Sequence, residues 1–229
     1  MVSVLDPVIE APPERPDVVR MGGPVLPPPP DDSGGDGWGR GPSREPRGFD
    51  NLRLGVLVFI GAECMFFATL ISALFVLRLG IAAWPPPLEP RLPVVLTGIN
   101  TAVLLASSVA VAAAMRSLRR GERRRLVRRL GLAALLGTLF LAVQGSEWIR
   151  LVGFGLTLAS GVYGLTFYTL IGFHALHVFG AVVWLSAIAA LAARGRLGAH
   201  RPSPVKACAM YWHFVVGLWP ILYIAVYLL

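Results

Sequence analysis

The sequence predicts an all-α membrane protein: five transmembrane helices behind an extended N-terminal tail, with the N-terminus inside and the C-terminus outside. Three observations carry this. Hydrophobic residues make up 55% of the 229 residues and charged residues only 15%, a balance too apolar for a soluble domain of this length. Beyond residue 50, apolar runs recur that are long enough to cross a hydrocarbon core of about 30 Å, which takes about 20 helical residues. The net charge of +8 gathers between those runs, as the preference of cytoplasmic loops for Lys and Arg requires. A basic stripe on one soluble face is missing, which argues against nucleic acid as a partner.

Residues 1–50 form the first unit, a Pro/Gly-rich tail that includes PVLPPPPDDSGGDGWGRGPSREPR. Such a composition buries too little apolar surface to offset its ordering entropy, so it is expected to be extended or disordered. It lacks the apolar core of about 7–15 residues that a signal peptide needs, and is read as a cytoplasmic tether that Trp38 or Phe49 could anchor. Residues 51–229 form the membrane unit.

The first span runs from about Leu54 to Leu77, between Arg53 and Arg78, with Glu63 near its centre. Trp84 and the prolines Pro85, Pro86 and Pro87 break the helix, and Trp84 suits the aromatic belt at the membrane surface. The second span covers about Pro93 to Met115. After it come Arg116, Arg119, Arg120, Arg123, Arg124, Arg125, Arg128 and Arg129, with Glu122 the one acid among them. This loop sets the orientation.

The third span, about Leu130 to Ile149, ends in VQGSEWIR and puts Gln144 and Glu147 toward the outer interface. The uncharged stretch from Leu151 to Ala193 could hold two spans. Arg194, Arg196, Arg201 and Lys206 follow it, however, and a second basic loop on the inner side requires an odd number of crossings. The stretch is therefore one long helix from about Tyr163, and a fifth span from about Val205 reaches Leu229. Cys64 and Cys208 fall inside spans without metal or redox spacing, and are read as buried free thiols.

Polar residues inside these spans are the candidates for function. His174 and His177 stand three residues apart, on one face of the fourth helix. Glu63 sits at the depth of His177, and an unpaired carboxylate there is costly, so Glu63 is expected to meet His174 or His177 directly or through water. The plainer reading of each imidazole is a hydrogen bond between packed helices. Gln144 and Glu147 admit a plain reading as solvated helix-end groups, and Tyr211, Trp212 and His213 as interfacial packing. The pair His177 and His213 could ligate a haem iron axially, but four histidines in all are too few for a dihaem or haem-copper centre. An autonomous membrane cytochrome and a small transporter remain as alternatives of other classes; the missing internal repeat weighs against the transporter. No P-loop, GxSxG or HExxH motif is present.

Four segments together resemble subunit III of the haem-copper terminal oxidases, the cytochrome c oxidase type, in its short five-helix bacterial form. GAECMFF at 61–67 is similar to the family's SEVMFF, VQGSEW at 143–148 to LQxxEY, VYGLTFYTLIGFHALHV at 162–178 to VYGSTFFxxTGFHGLHV, and YWHFV at 211–215 to the start of YWHFVDVVW. The last shows one departure, Val216 where the family has Asp. The resemblance implies a bundle with a lipid-holding cleft and no catalytic residue or redox centre of its own, the haems and copper lying in partner subunits I and II of a proton-pumping oxidase. It implies intramembrane, proton-related roles for Glu63, His174 and His177, and structural roles for Gln144, Glu147, Trp212 and His213. Arg53, Arg116, Arg119 and Arg120 are candidates for phospholipid headgroups. A bacterial inner membrane is the expected location, with cytochrome c or a respiratory supercomplex within reach of the complex. An accessory subunit of a quinol oxidase or nitric oxide reductase is the near alternative.

Overall fold

The structure, a computed structural model, describes residues 50–80, 93–157 and 159–229. The N-terminal tail with Trp38 and Phe49, and the Pro-rich link with Trp84, lie outside the described residues. Five helices follow in order: α1 Asn51–Leu79, α2 Val94–Arg119, α3 Arg123–Gly153, α4 Gly161–Ala193 and α5 Ser203–Tyr223. Each is long and apolar enough to cross a membrane, as expected. No strand of a sheet occurs among the described residues.

The helices outrun the expected spans, and most of all at the start of α3. Arginine is a good helix former, so the run from Arg123 to Arg129 continues α3 beyond the apolar segment and does not act as a loop. Two of these arginines close helix ends. Arg129 donates to the Ala113 carbonyl at 2.7 Å and to Ser117 Oγ at 2.5 Å, tying the start of α3 to the end of α2. Arg123 donates from Nε to the Ala192 carbonyl at 2.9 Å and from its terminal nitrogen to the Ala193 carbonyl. Both are C-terminal carbonyls of α4, that of Ala192 accepting also from the Gly195 N–H at 3.1 Å, and a cation there suits the helix dipole.

α5 is the central helix, packed against α1, α2 and α4. It carries the fully buried Trp212 and Trp219. Pro220 lies inside it, with no backbone N–H to give, and beyond Tyr223 the chain continues as a π-helical segment, Ile224–Leu228. Val216, the position where the resemblance expects Asp, is 2% exposed within the apolar core. α1 is peripheral: it touches α5 and α4 and buries only Phe67 and Leu74.

Two approaches explain sequence features that composition leaves silent. A Cβ on Gly137 would stand 2.5 Å from the Trp212 ring and 2.9 Å from Val182, so α3 needs glycine there to admit the indole. A Cβ on Gly164 would stand 2.2 Å from the Thr157 carbonyl, because the turn between α3 and α4 folds back over the first turn of α4. The three basic segments meet at one end of the bundle: Arg123 reaches across to the end of α4, and Arg53, Arg119 and Lys206 line one cavity. At the opposite end, the Tyr223 hydroxyl donates to the Val94 carbonyl at 3.0 Å.

Candidate functional site

Of the two imidazoles on α4, the structure sends one outward and one inward. His177 Nε2 lies 2.9 Å from Glu63 Oε2, the side chains being 16% and 14% exposed. Here is the expected pairing, direct and with His177 alone. The contact has the distance of a close ion pair, while its direction is not that of an aligned hydrogen bond. His177 Nδ1 faces the Phe173 carbonyl at 2.6 Å. A carbonyl only accepts, so Nδ1 carries a proton. The rings of Phe66 and Phe67 lie 6.5 and 5.3 Å from that of His177, so the couple is walled by apolar groups.

His174 does not join it. The side chain is wholly buried, stacked on Trp219 at 5.0 Å and 26° and edge-on to Phe67 at 6.3 Å. Neither ring nitrogen has a hydrogen-bond partner among the described residues. A spacing of three residues puts two side chains near one face, but about 60° apart around the helix axis. The rotation is enough to turn one to the core and the other to the α1 seam.

Gln144 and Glu147 are 1% and 2% exposed, which overturns their reading as solvated helix-end groups. Gln144 Nε2 donates to Glu147 Oε2 and to the Tyr227 hydroxyl, each at 3.2 Å. Thr97 Oγ1 lies 3.1 Å from Glu147 Oε2. One turn along α2, Thr101 Oγ1 accepts from Trp219 Nε1 at 2.8 Å, and Asn100 Nδ2 donates to the Phe140 carbonyl at 3.1 Å. Further along, Trp212 Nε1 donates to Ser107 Oγ at 3.2 Å, and Ser108 Oγ meets His213 Nδ1 at 2.6 Å. A line of polar residues on α2 thus receives the signature residues of α3 and α5. Sequence reasoning missed this line, along with Trp219 and Tyr227. Its signal was available, since Thr97, Asn100, Thr101, Ser107 and Ser108 follow helical spacing.

The reading of Trp212 as interfacial packing is corrected: it is a core residue, as is Tyr211. Cys208 is buried as expected, but Cys64 is exposed on the surface of the chain, because so little of α1 is covered. The two rings considered for axial ligation are engaged, His177 by Glu63 and Phe173 and His213 by Ser108. Among the described residues, no three of His, Cys, Asp and Glu gather into a group that could hold a metal ion.

Of the candidate headgroup ligands, Arg53 and Arg119 line one cavity of 350 Å³ together with Lys206 and His213. His213 also lines an apolar cavity of 420 Å³ that runs between Cys64, Phe67 and Ile71 of α1 and Gly217 and Ile221 of α5. Arg116 and Arg120 are exposed nearby and do not line either cavity.

Fold and site define a polytopic helical membrane protein in which Glu63, Glu147 and Trp212 meet polar partners on neighbouring helices while His174 packs on Trp219. The sequence model of the family described as cytochrome c oxidase subunit III matches residues 45–229. A Synechocystis protein named cytochrome c oxidase subunit 3 is 36% identical over 184 residues, covering 80% of this chain and 78% of its own length. The proteins of that name from Pelomedusa subrufa and Sus scrofa are 35% and 32% identical, over 78% and 77% of this chain and 69% of each of theirs. The chain belongs to the cytochrome c oxidase subunit III family.

Proposed function

We propose that the chain is the non-catalytic subunit III of a proton-pumping haem-copper terminal oxidase in a bacterial inner membrane, bound to subunits I and II. The match to the family over residues 45–229 carries this reading. The way the signature residues are used supports it: Glu63, Gln144, Glu147, His174 and Trp212 serve contacts between helical elements. On this reading the haems and copper belong to the partner subunits, and electrons come from cytochrome c directly or within a supercomplex. This chain contributes packing, lipid and a proton-sharing couple, Glu63 with His177, that supports proton uptake by subunit I and its endurance in turnover.

Phospholipid is the proposed ligand of the chain itself. Arg53, Arg119 and Lys206 supply positive charge where the headgroup layer would lie, and the apolar cavity below them suits an acyl chain. With the basic end inward, the N-terminus faces the cytoplasm and the C-terminus the outside.

The test is isolation of the tagged chain from native membranes in mild detergent. Haem spectra and subunit composition should show subunits I and II of an oxidase oxidising cytochrome c. A quinol oxidase or nitric oxide reductase in their place, or a Soret band belonging to the isolated chain, would overturn the proposal.

A further inference from the structure

A third cavity, of 280 Å³, opens at the basic end of the bundle, between the turn that joins α2 to α3 and the link that joins α4 to α5. It shares only Leu118 with the groove of Arg53 and Lys206. Polar side chains from three elements line it: Ser117 of α2, Arg123 at the start of α3 and His200 of the link. No Asp or Glu lines it, and the nearby Glu122 is paired with Arg125 at 2.7 Å. The segments that meet here are strongly basic, with eight arginines against that one Glu over residues 116–129 and four basic residues with no acid over 194–206. A concavity between such segments concentrates positive potential.

Each of the three side chains brings a donor that nothing else uses. Ser117 is wholly buried, and its oxygen accepts from Arg129 at 2.5 Å. A helical serine commonly returns its proton to the carbonyl four residues back, but here that carbonyl, of Ala113, accepts from Arg129. Among the described residues the Ser117 proton meets no acceptor, an unusual state for a buried hydroxyl. Arg123 is fixed by Nε and one terminal nitrogen on the Ala192 and Ala193 carbonyls. Its other terminal nitrogen, Nη1, has no acceptor among the described residues and lies against Gly195, where an added Cβ would stand 3.2 Å from it. His200 is exposed and adds a ring N–H. The helix-end carbonyls that would repel an anion are occupied: those of Ser117 and Leu118 accept from the Glu122 and Gly121 N–H groups at 3.0 and 3.2 Å, and those of Ala192 and Ala193 from Arg123.

We propose that this cavity binds a phosphate group, with Ser117 Oγ donating from its buried floor, Arg123 Nη1 supplying charge and a second donor, and His200 closing it on the solvent side. A tetrahedral oxyanion offers acceptors in several directions at once, and a guanidinium is the side chain best matched to it. A volume of 280 Å³ falls below the about 300–1,000 Å³ of pockets for drug-sized ligands, so the ligand is small. It is inorganic phosphate or a simple phosphomonoester from solution, or the phosphate of an anionic lipid entering from the headgroup layer. Bound there, it would tie the α2–α3 turn to the α4–α5 link. This inference does not depend on the oxidase assignment.

The test is isothermal titration of the full chain, purified in a phosphate-free sugar detergent, with inorganic phosphate and separately with dioctanoyl phosphatidic acid, at constant ionic strength and with sodium chloride as the blank. The expected result is saturable binding of inorganic phosphate that Ser117→Ala and His200→Gln each weaken about tenfold and that Arg53→Gln with Lys206→Gln leaves unchanged. The same dependence seen with dioctanoyl phosphatidic acid alone would support the site and make a lipid the source of the phosphate. His200 is exposed, so its variant should fold whatever becomes of Ser117→Ala, and circular dichroism checks both. Absence of saturable binding by either probe, binding unchanged in His200→Gln or in a folded Ser117→Ala, or binding that depends on Arg53 and Lys206 instead would overturn the proposal.

Discussion

Glu63 of α1 and His177 of α4 stand 2.9 Å apart across a seam to which α1 contributes just two buried residues, Phe67 and Leu74. A helix so lightly packed relies on each strong contact it has. The carboxyl–imidazole couple is the polar contact that fixes the register of α1 against α4, and Phe66 on Phe173, at 5.2 Å, is its apolar companion.

Removing one member should therefore be worse than removing both. In a double-mutant cycle of Glu63→Leu and His177→Leu, each single change leaves the other group unpaired in an apolar wall, and the coupling should be about 1–3 kcal/mol. Thermal unfolding of the chain in mild detergent, followed by circular dichroism, measures it; additive single effects would show that the pair does not hold the seam.

In the assembled oxidase, Glu63→Gln should leave the initial rate of oxygen reduction near the wild-type value. Proton pumping or endurance in prolonged turnover should fall instead. An immediate loss of oxygen reduction with all subunits present would contradict the supporting role proposed for this residue.

Gly137→Ala should destabilise the bundle by about 1–3 kcal/mol, the usual effect of overpacking, because the new methyl would lie 2.5 Å from Trp212. Pairing it with Trp212→Phe frees the space occupied by the second indole ring, so the double variant should recover part of the loss. A Gly137→Ala chain as stable as wild type would mean that the Trp212 ring moves freely away from α3.

Lipid retention should track the basic end of the groove. Replacing Arg53, Arg119 and Lys206 with Gln should lower the anionic phospholipid carried through purification, read by mass spectrometry of extracted lipid, while the same change at Arg124 and Arg128 should not. Equal lipid content in both variants would detach these residues from headgroup binding.

Removal of Arg123 should act at a distance in sequence. Arg123→Ala leaves the Ala192 carbonyl without its 2.9 Å donor, at an expected cost of about 1 kcal/mol. Hydrogen exchange should quicken over the last turn of α4, and unchanged protection there would count against the cap.

How much of this was legible beforehand depends on which kind of information a residue carries. The five spans, their alternating direction and the clustering of the basic ends follow from chain-local properties, namely apolar length and the placement of Arg and Lys. The bilayer reads those the same way in any fold. The meeting of Glu63 with an imidazole was also foreseeable, since depth along each helix can be counted and an unpaired carboxylate in hydrocarbon is expensive.

The rotation of each helix about its own axis is set by neighbours, and there the sequence alone stopped short. Only packing decided that His177 and not His174 meets Glu63, that Trp212 fills the space Gly137 leaves open, and that Cys64 faces outward on a helix covered on one side. Only packing brought Thr97 against Glu147, turning a supposed helix-end charge into a buried hydrogen-bonded group. Hydropathy measures how deep a residue lies. Which partner it finds there depends on side chains from other helices approaching to within about 3 Å, which a one-dimensional pattern does not encode.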